Sequence, residues 1–482
     1  MTIQKIIFLE PKTEKLHIYS KFELPRLGSV LLATIMKQAG YETRVYFRKT
    51  NEIIEERIQA DLVAISTIST TAPAAFRIAD YYREQGIPVV IGGPHVTALP
   101  EEAMCHADYC IRGEGEIPLP KLVAALNNGT PLEKVPSLTW MENGKIRNTE
   151  LCRPIEDLDS LPFPDFSLMD TGGKKMNGIT MKPTIPMQAS RGCPFNCKFC
   201  SVTSMFGKKF RFRSVASIIE EMKQYHPKKH VIFFYDDNFS ANKERTKHLL
   251  REMIAHKKEF GGTFRWSTQV RVDIARDPEL LDLMKKAGCV TVYIGIESIN
   301  PESLKEMKKA QSVEDIRWGI KEIRKRKIHI HGMFVFGFDS DTKATTQATV
   351  DFAIKSKIET AQFLILTPLP GTVFYQEVIE ENRFIDTKWD EFDTHHVKFT
   401  PRPEHFTMWE LQQAQISAHA QFYKLTHVFR RLLRGSLIGL IVGLYANKLN
   451  RNWLVWERPY LKWLKRVSSE KKIFRNPPII AS

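Results

Sequence analysis

Between Arg191 and Cys200 the sequence reads RGCPFNCKFC, and no other stretch constrains the chain so tightly. Cys193, Cys197 and Cys200 fall within eight residues on a loop opened by Gly192 and Pro194. Thiolates are soft ligands suited to iron–sulfur centres, and three so close together can hold three corners of one inorganic cluster. A structural zinc site closes with four protein ligands, usually as two Cys-x-x-Cys pairs. The next cysteine is Cys289, far along the chain. The spacing therefore favours a [4Fe–4S] cluster with one iron open to a small molecule. Zinc with a distant fourth ligand, or a packed group of free thiols, is the competing reading.

At 482 residues the chain has room for two or three domains. Apolar content of 43% and charged content of 26% are those of a folded protein. The opening MTIQKIIFLEPKTEK lacks a long apolar core with a cleavage site, so no secretion signal is expected. Seven cysteines, three of them in one motif, point to a reducing cytoplasm and not to a disulfide scaffold. An oxygen-sensitive cluster favours anaerobic or low-oxygen conditions. The net charge of +15 is unevenly placed. From Lys424 onward 13 Lys and Arg face only Glu457 and Glu470, so the tail carries most of the excess.

Up to about residue 127 strands alternate with amphipathic helices: KIIFLE, the helical LGSVLLATIMKQAG, then TRVYFR, DLVAIST, IPVVIGG and ADYCIRG. Such alternation means a parallel, doubly wound sheet, with ligands at the carboxyl ends of its strands. Those ends carry Ser66 and Thr67, then Gly92, Gly93 and His95, then Gly113, Glu114 and Glu116. A polar, proline-bearing connector follows as an inter-domain strap, with NGK as a hairpin turn. After the cysteine motif the alternation resumes for about six β/α units, short of an eight-fold barrel. Strand ends there carry Asp236, Asp237 and Asn238, then Gln269, Arg271 and Asp273, then Glu297 and Ser298. These residues either serve a site or cap the following helices. Cys289 is expected in the core. His329 and His331 share one strand face, which the sequence does not orient.

The C-x3-C-x2-C spacing, with the aromatic Phe199 before the last cysteine, resembles the radical S-adenosylmethionine (SAM) superfamily. That resemblance implies a partial (β/α)6 barrel and SAM bound at the open iron, where one electron cleaves it to a 5′-deoxyadenosyl radical. It further implies SAM contacts from Phe199, from Asp237 and Asn238 of YDDNF, from Arg271 to the SAM carboxylate, from Glu297 of GIES, and from Gly337 beside the adenine. RLGSVLLATIMKQAGYE, IGGPHVTALPEEA and ADYCIRGEGE together resemble the Rossmann-like cobalamin-binding domain that precedes the barrel in many such enzymes. Cobalamin would then meet Ser66, Thr67, Gly92, Gly93, His95, Gly113, Glu114 and Glu116. The D-x-H-x-x-G motif is absent, so cobalamin is expected without a protein His ligand. Cys105, Cys110 and Cys152 do not reproduce the extra cluster spacing of methylthiotransferases, which disfavours that branch.

The expected organisation is a Rossmann-like cobalamin domain over 1–145, a connector over 146–186, a radical SAM barrel over 187–375 and a basic helical region over 376–482. In the last, MWELQQAQISAHAQFYKLTHVFRRLLRG reads as one long helix. The apolar run SLIGLIVGLYA is too short to span a bilayer. It is flanked by Arg430, Arg431, Arg434, Lys448 and Arg451, with Trp453, Trp456, Tyr460 and Trp463 following. That mixture reads as a segment lying on a membrane surface, peripheral on its inner face, as a helix packed on the barrel, or as a basic nucleic-acid surface, the last being disfavoured. The implied function is cobalamin-dependent methylation of an unactivated carbon on a hydrophobic lipid, isoprenoid or tetrapyrrole. One SAM would methylate cob(I)alamin and a second would supply the radical, with electrons from a donor such as flavodoxin or ferredoxin. Radical cyclisation or carbon–carbon coupling is the alternative, and a non-catalytic cluster- or cobalamin-binding sensor is a third reading.

Overall fold

The computed structural model describes residues 2–13, 24, 26–173, 182–309, 311–402, 404–433 and 437–469. Its first sheet contains β1 (Lys5–Leu9), β2 (Glu42–Tyr46), β3 (Leu62–Ser66), β4 (Val89–Gly92), β5 (Tyr109–Ile111), β6 (Leu138–Glu142), β7 (Lys145–Asn148) and β8 (Met169–Asp170). The strand order is β7-β6-β5-β4-β3-β1-β2-β8, and β1 to β5 run parallel. Within these strands IIFL and LVAI are unbroken, buried apolar runs because both faces are covered. Ile7 and Leu9 pack into one core, while Ile6 and Phe8 pack into the other.

The connector does more than strap two domains together. Asn143 and Gly144, at φ 50° and 74°, form the tight turn that joins β6 to β7. This hairpin adds antiparallel to β5, and β8 adds parallel to β2, so connector residues extend both edges of the sheet.

The second sheet contains β9 (Thr184–Met187), which precedes a small clasp of β10 (Ser190–Arg191) and β11 (Arg211–Phe212). It continues with β12 (Val231–Phe234), β13 (Trp266–Val270), β14 (Cys289–Glu297), β15 (His329–Phe336) and β16 (Thr360–Ile365). Six parallel strands follow the order β16-β15-β14-β13-β12-β9, an open barrel wall. The expected connector ended at Pro186, which lies inside β9. Proline is tolerated there because β9 is an edge strand. Cys289 is buried at the start of β14.

The other edge, β16, is closed by side chains of the helix Met408–Phe422 and the residue that follows it. Gln415 Nε2 donates to the Phe363 carbonyl at 3.1 Å, and His419 Nε2 lies 3.0 Å from the same oxygen. The Tyr423 hydroxyl accepts the Ala361 amide at 2.9 Å and donates to the Ala361 carbonyl at 2.7 Å. An unpaired edge is a liability, and here a helix satisfies it. The chain turns at Tyr423 to make this contact, so the single long helix expected from the sequence is two, Met408–Phe422 and Leu425–Leu433.

The helices Leu437–Trp456 and Arg458–Ser469 follow, and Arg434 and Glu470 lie outside the described residues. Among the described residues no helix is long and apolar enough to cross a membrane. Residues 381–407, expected to be helical, contain only the short turn Trp389–Glu391 among those described. Phe384 bridges to Phe399 and packs on Phe392, which holds this segment as an irregular layer.

Within that layer His396 is fully buried, with Nδ1 2.9 Å from Asp393 and Nε2 3.3 Å from Glu457, at the junction of the last two helices. Burial opposes its charge, but Asp393, Glu457 and Glu391 outweigh burial and lift the imidazole to about 9. An unfolded histidine titrates near 6.5. The raised group thus gives stability that is fully present below about pH 6.5 and lost as pH rises through about 9. The melting temperature is expected to fall across that window in the wild type and to fall less in His396→Gln. Equal slopes in the two proteins would contradict the assignment.

Candidate functional site

The cysteine loop is closed on itself. β10 and β11 pair antiparallel, Ser190 with Phe212 and Arg191 with Arg211, so the segment between them returns to its origin. Gly192 sits at φ 89°, and a Cβ there would stand 2.5 Å from the Lys209 carbonyl oxygen, so only glycine fits the crossing. Asp236, just beyond β12, accepts from the Ala189 amide at 3.1 Å and from the Ser190 hydroxyl. Burial pushes its carboxyl up to about 6.

Cys193, Cys197 and Cys200 are each partly exposed. Burial raises all three thiols, and Cys200 is pushed up to about 12. Without metal they are therefore neutral thiols, and a metal would hold them as thiolates. Among the described residues no group of three or more His, Cys, Asp and Glu is gathered to hold a single ion. Three soft donors spread along one loop suit a polynuclear cluster, in which each iron takes its own thiolate.

Four strand ends converge on this loop. Asp237, after β12, acts electrostatically on Cys193 and Cys200, and burial with Asp236 beside it pushes its own carboxyl up to about 7. Arg271, after β13, lays its guanidinium 3.9 Å from the centre of the Phe195 ring, inside the motif. Its charge favours the thiolates of Cys193 and Cys197. Glu297 ends β14 at φ 62°, a left-handed conformation rare for a side-chain-bearing residue, where the register with β15 shifts. Its carboxylate meets Lys309 Nζ at 2.5 Å, and both act on Cys197. Gly295 leaves them room, since a Cβ there would run into both groups. Beyond β15, Phe338 meets the Phe199 ring edge-on at 6.1 Å, and the Gly337 and Phe338 amides donate to Asp341 at 3.0 and 3.1 Å.

Strand-end residues of this kind can serve merely as helix caps, but other residues fill that role here. The caps are Asn242, Asp277, Asn300 and Thr342, each accepting from a backbone amide of the helix it precedes. Arg271 precedes the short 3-10 turn Val272–Arg276 without a side-chain cap bond, and the side chains of Asp237 and Glu297 cap no helix among the described residues. Asn238 differs from them: it is buried in the turn, where its side chain accepts from Ser240 at 3.4 Å.

Alternation along the strands places aromatic residues below these ends. Phe233 lies 5.7 Å from Tyr235 and 5.6 Å from Tyr293, which lies 4.8 Å from His331. His331 therefore faces the same concave side as Asp237, Arg271 and Glu297. Burial pushes it down to about 4, so it is neutral, and Nδ1 lies 2.8 Å from the Thr360 hydroxyl.

The first sheet abuts the base of the cysteine loop. Arg191 binds Glu116 at 2.6 Å and reaches Glu114 at 3.4 Å, and Arg211 binds Glu114 through both terminal nitrogens. Both acids are thus engaged with the loop clasp. His95 is also engaged: its ring nitrogens lie 3.2 Å from Ser69 and 3.1 Å from Glu102, which takes the Trp389 indole at 2.8 Å. These links cross between the domains.

The remaining strand-end residues form a ledge poor in side chains. Gly93, at φ 111°, crosses against Thr67, and Ser66 receives Arg26 through its carbonyl at 3.3 Å. Nothing stands within 4 Å of a Cβ placed on Gly113, and Gly92 is partly exposed. A ledge of this kind suits a large group laid over backbone, as cobalamin requires. Local sequence pattern missed Lys309, Arg191 and Arg211, although Lys309 lies within the KEMKKAQS stretch that follows GIES.

Comparison with known proteins matches residues 187–353 to the radical SAM superfamily and 16–123 to the B12 binding domain. The chain is 32% identical over 439 residues to an uncharacterized methyltransferase of Pyrococcus horikoshii, covering 88% of this chain and 93% of the relative. It is 31% identical over 407 residues to the bacteriochlorophyllide d C-12(1)-methyltransferase of Chlorobaculum tepidum, covering 83% of each. Its fold resembles that of the radical SAM methyltransferase TsrM from Kitasatospora setae, with a TM-score of 0.65 and 20% identity, covering 79% of this chain and 76% of that one.

The Gly192→Ala protein is expected to keep the overall fold and to bind less than half the wild-type iron after reconstitution, because the added methyl displaces the loop. Iron and sulfide analysis alongside circular dichroism tests this. Full iron loading would show that the Gly192 crossing does not shape the site.

Proposed function

Because the chain belongs to the B12-binding radical SAM methyltransferases, enzymes that use a [4Fe–4S] cluster, SAM and cobalamin, we propose that it methylates an unactivated carbon of a hydrophobic small molecule. The observation that carries this reading is the convergence of the cysteine loop, four strand ends (three of them polar) and the glycine ledge of the first sheet on one region. Bound there, the three groups supply one-electron cleavage chemistry and a methyl donor.

Cys193, Cys197 and Cys200 would hold the cluster. Arg271 offers a planar cation suited to the SAM carboxylate, with Phe195 fixing its plane. Asp237 and Glu297 present carboxyl groups to the amine and ribose, and Lys309 keeps Glu297 in place. Gly337 and Phe199 flank the position for the adenine. Ser66, Thr67, Gly92, Gly93 and Gly113 form the ledge for cobalamin. Glu114, Glu116 and His95 act on that site by fixing the first sheet against the loop, and Asn238 shapes the turn beside Asp237.

The concave wall of Phe233, Tyr235, Tyr293 and His331 carries no charge at neutral pH, because His331 is held neutral. Such a wall excludes water and favours a hydrophobic, ring-bearing substrate. The bacteriochlorophyllide methyltransferase among the relatives supports a tetrapyrrole-like ligand. Electrons come from a small redox protein of the flavodoxin or ferredoxin class, in a reducing cytoplasm that suits three thiolate ligands and four cysteines outside the motif.

The test is an anaerobic reaction with SAM carrying a deuterated methyl group and candidate tetrapyrrole, hopanoid and isoprenoid substrates, read by mass spectrometry. The expected product gains one labelled methyl group. A product that has lost hydrogens and gained no label would identify cyclisation instead and would overturn methylation.

A further inference from the structure

The helices Leu425–Leu433 and Leu437–Trp456 pack against each other, and their inner face is fully used. Val428, Val442 and Ala446 are buried. A Cβ on Gly443 would stand 2.8 Å from Val428 and 3.1 Å from the Arg431 guanidinium, so the helices touch closely at that glycine. Arg431 turns inward, 4.3 Å from the centre of the Phe422 ring. The pair is thereby fastened to the helix that closes the barrel edge.

The outer face has no such role. Leu425, Phe429 and Leu433 recur at every fourth position, and Leu437, Ile441 and Leu444 continue with helical spacing. Their exposures are 41%, 53% and 87% on the first helix and 59%, 49% and 41% on the second. Six large apolar side chains at helical spacing make a patch beyond scattered surface exposure. Basic residues adjoin it: Lys424, Arg430, Lys448 and Arg451 are all exposed.

We propose that this helical pair is a membrane-docking element that lays its apolar stripe into the surface of an anionic lipid bilayer. Apolar side chains beside solvated cations match a headgroup layer, where the apolar part enters the acyl boundary and the cations meet lipid phosphate. A second copy of the chain would bring like charges together at the same seam. An acidic protein partner would satisfy the cations and leave the leucines facing polar surface. Because Leu437–Trp456 is not apolar enough to cross, the docked helix lies in the plane of the interface. The proposal is independent of the catalytic reading, and its test involves no turnover.

Full-length protein is sedimented with vesicles of phosphatidylglycerol and phosphatidylethanolamine, and with vesicles of phosphatidylcholine alone. Binding to the anionic vesicles is expected to be about tenfold or more above binding to the neutral ones, and to weaken in high salt. The double variant Leu433→Asp, Leu437→Asp is expected to lose about tenfold or more of that binding. These side chains already face solvent, so the variant should keep the wild-type melting temperature. Lys448→Glu with Arg451→Glu provides a second variant that should weaken binding to anionic vesicles without touching the stripe. Equal binding to both vesicle types, binding unchanged in both variants, or no binding at all would overturn the proposal. So would a vesicle-independent dimer that the aspartates split, since that result assigns the face to a second copy.

Discussion

The ion pairs of Arg191 and Arg211 with Glu114 and Glu116 join the two halves of this protein at the root of the cysteine loop. All four side chains are nearly buried. Charges taken out of water are tolerated only when their partners are complete, and removing one partner of such a set costs roughly 3–5 kcal/mol. The clasp strands β10 and β11 carry the arginines, and the first sheet carries the acids. One set of contacts therefore fixes the loop's base and places the first sheet's glycine ledge beside it. The link of His95, Glu102 and Trp389 braces the same interface from the first sheet to the layer after the barrel.

An open parallel sheet has two exposed edges, and the chain closes them differently. β9 carries Pro186, which suits a strand with a neighbour on one side only. β16 is capped by Gln415, His419 and Tyr423, whose side chains supply the hydrogen bonds of a missing neighbour strand. The region beyond the barrel thus helps complete the wall that carries Arg271 and Glu297. Its outer helices remain attached through Arg431 and the close contact at Gly443.

The parts of the structure legible in the sequence were those written in local pattern. Cysteine spacing, the alternation of apolar strands with amphipathic helices and the polar strand ends all follow from neighbours a few residues apart. The structure brings Asp237, Arg271, Glu297 and Phe199 together at the loop, residues singled out by the family resemblance and not by local pattern alone. Long-range partners left no such mark. Glu114 and Glu116 read as ledge residues because nothing nearby shows that arginines 75 to 97 residues later would claim them. His95 follows a strand as a ligand-facing residue would, yet both its ring nitrogens are engaged within the protein. Helical periodicity runs unbroken through Tyr423, and the break there accompanies the long-range bonds of its hydroxyl to Ala361 of β16.

The cysteine loop, the strand ends and the glycine ledge of the first sheet are proposed here to form one catalytic site. The most direct test is an anaerobic reaction of the cluster-loaded protein with SAM, cobalamin, dithionite and a hydrophobic substrate, assayed for deoxyadenosine and S-adenosylhomocysteine together. Both products are expected to appear and rise in parallel, S-adenosylhomocysteine only with cobalamin, while in Cys197→Ala deoxyadenosine vanishes and S-adenosylhomocysteine is limited to one methylation of the bound cobalamin. Deoxyadenosine persisting in that variant, or neither product forming in the wild type with an intact cluster and any of the hydrophobic substrates, would contradict a single site.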